Sequence, residues 1–108
     1  MEGGRRLVGA KAKLSNRNYQ KGRAREYRAK ESLFKMGALY VQRSYGSHGI
    51  FDLIAIFPDH VRLIQVKRTY IPKWEMKRLK DFAQKMRNPN CHVELWSYPR
   101  RRLVIDRL

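Results

Sequence analysis

The sequence predicts a single α/β domain with its elements in the order helix, three strands, helix, two strands. Three observations carry that reading. The chain has 108 residues, which suits one domain with one core. Two segments, Gly22 to Met36 and Trp74 to Met86, lack proline and place apolar residues at helical spacing. The remaining apolar runs are short and bounded by turn formers, as strands are.

Residues 1–20 carry Gly3, Gly4 and Gly9 among many charges, without a sustained period. They read as a flexible basic arm, with 21–108 as the folded unit. In the first helix Ala24, Tyr27, Leu33 and Phe34 mark the expected buried stripe, and Arg23, Arg25, Arg28, Lys30 and Lys35 the solvated side. Gly37 is the expected stop, because glycine tolerates the left-handed conformation. Leu39 to Arg43 is a first strand, followed by the turn-rich loop Ser44 to Gly49. Ile50 to Phe57 and Val61 to Lys67 are the second and third strands, joined by Pro58-Asp59-His60. Thr69 to Lys73 is an extended link, and Pro72 favours a helix start soon after it. In the second helix Met76, Leu79, Phe82, Ala83 and Met86 recur on one side. Asn88-Pro89-Asn90 is a turn. His92 to Tyr98 and Leu103 to Asp106 are the last strands, divided by Pro99 and three arginines.

Charge decides the class of partner. The chain carries 25 Lys+Arg against 9 Asp+Glu, a formal net charge of +16. Such a surface attracts phosphate and repels itself when no polyanion is bound. With 43% hydrophobic residues, this is a folded protein rather than a basic tail. No run is long enough to span a membrane, and the apolar part of the opening segment is too short for a signal peptide. The lone Cys91 excludes an internal disulfide and fits a reducing, intracellular and cytoplasmic setting. Nucleic acid is the expected partner.

The chemistry-bearing residues lie on the second and third strands. Gln65 and Lys67 alternate onto one face, with Val66 opposite. If those strands pair as a hairpin, Asp52 meets them at one end of the sheet. A carboxylate, an amide oxygen and an ammonium then converge. Asp52 lies among Ile50, Leu53, Ile54 and Ile56, where a carboxylate is costly unless paired or bound to metal. A structural ion pair with an arginine is the plainer reading. Gln65 offers a neutral oxygen that a hard cation accepts. Lys67 suits orienting a water and stabilising charge on phosphate, or simple phosphate binding. Glu26 is the one acid between Ala10 and Lys30; the plain reading is helical pairing with neighbouring arginines. Asp59 belongs to a turn tip. Arg43, Ser44 and Ser47 have the donors to hold a backbone phosphate, as do Lys21, Arg23, Arg25, Lys67 and Arg68. His48 reads as a loop residue, and Trp74 and Trp96 as core or interface residues.

Together these pieces resemble the archaeal-type Holliday-junction resolvases of the restriction-endonuclease-like superfamily, whose signature is a PD-(D/E)xK set. The carriers are Lys21-Gly22-x-x-x-Glu26, Arg43-Ser44-x-Gly46-Ser47, Asp52-Leu53-Ile54-Ala55, Gln65-Val66-Lys67, Tyr70-Ile71 and Arg78-Leu79. The likeness runs from about Lys21 to Ile105. It implies a restriction-endonuclease-like mixed sheet flanked by helices, making 21–108 a nuclease domain. It also implies a homodimer that cleaves four-way DNA junctions with Mg²⁺, or with Mn²⁺ in its place. By the same resemblance Glu26, Asp52 and Gln65 hold the metal, Lys67 completes the catalytic set and Ser47 assists. The departure is Gln65, where the pattern has Glu. The rival expectations are a repair or nicking nuclease of the same fold and a non-catalytic junction-binding module.

Overall fold

A computed structural model describes residues 20–44 and 49–108. Helix α1 covers 20–35. Then come β1 (Tyr40–Arg43), β2 (Leu53–Ile56), β3 (Val61–Lys67), α2 (Lys73–Lys85), β4 (Cys91–Ser97) and β5 (Val104–Arg107). This is the order expected from the sequence, with a short 3₁₀ turn, Pro99–Arg101, added between β4 and β5. The protein is therefore α/β, with a five-stranded mixed sheet flanked by two helices.

The strands lie side by side in chain order. Only β3 and β4 are parallel; the other neighbours are antiparallel. A parallel pair needs a long crossover, and α2 supplies it. Side chains of successive strand residues face opposite layers. Ile64, Val66 and Trp96 thus join Ala29 and Leu33 of α1 in one core layer. Leu63, Val93 and Leu95 join Leu79, Met76 and Phe82 of α2 in the other.

The stripe of α1 is a correction. Ala29 and Leu33, spaced by four, are fully buried, whereas Ala24, Tyr27 and Phe34 are exposed. Small Ala29 lets the helix axis approach the sheet, and the aromatic residues then rotate outward. Glu26 and Lys30 extend the Ala29–Leu33 stripe and are half-buried. Gly37 ends this segment with φ 107°, as expected. Asn88 forms the expected turn, its Oδ1 accepting from Asn90 N at 2.9 Å. Trp96 is in the core, but Trp74 is 62% exposed and belongs to no core layer.

One charged residue is wholly inside. Glu94 on β4 accepts from Arg107 Nη2 at 2.7 Å, Arg107 Nε at 3.0 Å and Trp96 Nε1 at 2.9 Å. Arg62 Nη1 on β3 lies 3.6 Å from its other oxygen. The carboxylate therefore ties three adjacent strands together. A buried charge is tolerated only while its partners remain. Glu94→Ala should lower unfolding stability by about 3 kcal/mol, because Arg62 and Arg107 lose their counter-charge and a cavity opens. The shift of the urea midpoint at constant m-value measures it.

Candidate metal-dependent phosphodiesterase site

The hairpin of β2 and β3 places the central residues. Its register sets Leu53 opposite Ile64 and Ile56 opposite Val61. One step beyond the ladder, Asp52 N donates to Ile64 O at 2.8 Å, and Ser44 N donates to Asp52 O at 2.8 Å. The Asp52 backbone thus reaches β3 at Ile64, next to Gln65, which shares a strand face with Lys67. Asp52 itself is at the entrance to β2 rather than within it. Its carboxylate Oδ2 accepts from Val66 N of β3 at 2.8 Å.

Two further carboxylates reach this end of the sheet, one from each helix. Glu26 of α1 pairs with Arg43 Nε at the end of β1. Glu75, in the first turn of α2, holds Lys67 Nζ at 2.8 Å. Both carboxylates act on Asp52 electrostatically. Burial holds the Asp52 carboxyl above its ordinary 3.8; the Val66 N–H opposes this, Glu26 adds to it, Lys67 opposes it and Glu75 adds to it. The site thus concentrates negative charge in a partly dehydrated place, which is what a cation relieves.

Glu75 is the residue missed in the sequence. The signal was present: it is the sole acid among Lys73, Lys77, Arg78 and Lys80, and it follows Lys67 across a short link. Helix-start acids are ordinarily explained by the helix dipole alone, which hides a second role. Arg78 lies over the exposed Trp74 ring at 5.5 Å, so α2 presents a cation and an aromatic face beside Glu75.

The other candidates divide. Arg43 and Lys67 are engaged by carboxylates. Ser44 uses its backbone N–H on Asp52. Arg23 lines a small pocket with Glu26, Tyr27 and Arg43. Lys21, Arg25 and Arg68 line a separate basic cleft. Asp59 is at the exposed hairpin tip with His60, remote from Asp52 in the β2–β3 ladder, as expected. Ser47, His48 and the arm to residue 19 lie outside the described residues.

Oxygen donors of this kind suit a hard cation. Asp52 Oδ1 accepts no hydrogen bond among the described residues, and the 9%-exposed Gln65 makes no side-chain hydrogen bond among them. No group of three His, Cys, Asp or Glu is gathered at metal-holding spacing among the described residues. Asp52 and Gln65 together offer a carboxylate and an amide oxygen. That fits Mg²⁺, which commonly takes few protein oxygens and keeps several waters. Comparison with family models, curated proteins and solved structures finds no match. No helix among the described residues is long and apolar enough to cross a membrane.

The raised carboxyl of Asp52 has a definite sign. A raised folded-state value favours the neutral form, so its stabilising effect is present below 3.8 and is lost as pH rises through the folded value. Asp52→Asn keeps an acceptor for Val66 N but carries no charge. Without divalent metal at pH 7, the variant should melt a few degrees above the parent. The difference should shrink toward zero below pH 3.8. Calorimetry across that range checks it.

Proposed function

We propose that this chain is a Mg²⁺-dependent endonuclease with a restriction-endonuclease-like fold, acting on four-way DNA junctions as a homodimer. The observation that carries the reading is the bond of Val66 N to Asp52 Oδ2, between Gln65 and Lys67 on β3, with Glu26, Lys67 and Glu75 all acting on the same carboxylate. The +16 charge supports a polyanionic substrate. The choice of a junction rests on the resemblance described above. A C₂ pair would present two equal sites to the two-fold-related strands of a junction. An exposed apolar margin, Phe34, Met36, Leu39, Tyr40 and Ile56, runs from the end of α1 along the open edge at β1 and supplies a face for such a pair.

In this reading Asp52 and Gln65 would hold the metal, and Glu26 would support it from α1. Bound Mg²⁺ supplies charge stabilisation on the scissile phosphate and a more acidic water. Lys67 contributes a fixed ammonium aimed at the same phosphate, where it orients the attacking water and offsets developing charge. Glu75 holds that ammonium in place. Glu75 is thus a positioning residue. Gln65 brings no charge, so the site binds metal more weakly than a Glu-bearing one.

A non-catalytic junction-binding protein is the second reading, and the neutral Gln65 favours it. Cleavage of a labelled four-way junction, with linear duplex as control, separates the two. The parent should cut the junction in Mg²⁺, and Asp52→Asn should bind it undiminished without cutting. Gln65→Glu should lower the Mg²⁺ needed for half-maximal cleavage, and Gln65→Ala should lose most cleavage. Cleavage by Gln65→Ala at the parent's rate would remove Gln65 from the site. An inert parent with an active Gln65→Glu would make the natural protein a binding module. Sedimentation on junction DNA should show two copies; a stable monomer would leave a nicking enzyme.

A further inference from the structure

A cleft of about 480 Å³ lies beside the site, between α1 and the turn that joins β4 to β5. Lys21, Arg25 and Arg28 line it from α1, Arg68 from the end of β3, and Arg100 and Arg101 from the turn. No carboxylate lines it. None of these six cations has an ion-pair partner among the described residues. Six like charges around one cleft repel each other, so the cleft is stabilised by an anion.

Two further observations point to a ligand. Tyr98, only 8% exposed, also lines the cleft, and its hydroxyl is buried without a hydrogen-bond partner among the described residues. An unpartnered buried hydroxyl costs on the order of 1–3 kcal/mol and needs an explanation. An acceptor oxygen arriving in the cleft satisfies it. The second observation is the backbone of the turn. Arg100 and Arg101 have φ of 52° and 66°, in the region that favours glycine. Two hydrogen bonds lock them there, Arg101 N to Tyr98 O at 3.2 Å and Arg102 N to Pro99 O at 3.0 Å. Glycine would relieve that strain. Two consecutive arginines in its place put strain where their charge is used.

The cleft borders the elements that carry the candidate site. Arg68 and Thr69 follow Lys67 directly, and Arg25 precedes Glu26. We propose that this cleft is a second anchoring site, taking DNA backbone phosphates that flank the one held at Asp52 and Lys67. Tyr98 Oη donates to a phosphate oxygen, and the Arg100–Arg101 pair clamps the backbone from the side opposite α1. The assignment rests on the nucleic-acid reading above, but not on cleavage.

Junction binding in EDTA, titrated against salt, tests it. Arg100→Gly with Arg101→Gly removes two cations at positions where glycine is unstrained. Its melting temperature should equal or exceed the parent's. Its slope of log affinity against log salt should be shallower by about 2, since each phosphate contact contributes about 0.9. Arg100→Asn with Arg101→Asn, also tolerant of positive φ, should behave alike if the glycine variant folds poorly. Tyr98→Phe should weaken binding roughly 3- to 10-fold with the slope unchanged, because a neutral donor is lost. It should not lower the melting temperature, since no internal hydrogen bond is broken. A parental slope in both charge-removing variants would overturn the proposal. So would Tyr98→Phe binding as the parent does. A reduced slope in a protein that never cuts would sink the nuclease reading and leave the cleft standing. Mg²⁺-dependent cutting with a parental slope would do the reverse.

Discussion

The pairing of β2 with β3 in one register is the constraint on which the candidate site depends. Leu53 and Ala55 are 1% and 0% exposed, and both face the α1 layer. A slip of one residue would turn both into the other layer and break the bonds of Asp52 to Ile64 and Val66. Core packing of Leu53 and Ala55 therefore sets the register from which Asp52 reaches β3. The bond from Val66 N to Asp52 Oδ2 then fixes that carboxylate on the strand that carries Gln65 and Lys67.

Both layers reach this sheet end. Glu26 arrives on the α1 side and Glu75 on the α2 side, while β3 runs between them. Each of the two carboxylates holds a cation, Arg43 or Lys67, and each still acts on Asp52. Of these three acids only Asp52 has a backbone N–H rather than a cation as its partner. Asp52 Oδ1 thus accepts no hydrogen bond among the described residues.

The scarce acids also partition the surface. Glu94 neutralises Arg62 and Arg107 inside the sheet, and Glu26 and Glu75 neutralise cations at the site. Among the described residues the cleft beside α1 receives no acid, and its cations have no ion-pair partner. Basic residues of one kind thus serve two ends. Those against carboxylates are fixed in position, whereas those in the cleft are available to an external anion.

Much of this was legible in the sequence. Periodicity and turn chemistry are local, so the seven elements, the Gly37 stop and the Asn88 turn follow from neighbouring residues. Alternation along β3 placed Gln65 and Lys67 on one face, and the short hairpin link brought Asp52 to the same strand, where it bonds Val66 N. The α1 stripe was not legible: Tyr27 and Phe34 have the composition of a core, but only the approach allowed by Ala29 decides which side of the helix meets the sheet. Glu75 was hidden because its contact with Lys67 depends on where the crossover helix lies against the sheet. The basic cleft joins residues from α1, the end of β3 and the β4–β5 turn, and no local pattern connects them. Local sequence determined which elements form and which residues share a strand face. Tertiary structure decided which helix face is buried and which distant charges meet, because those follow from packing between layers and not from neighbours along the chain.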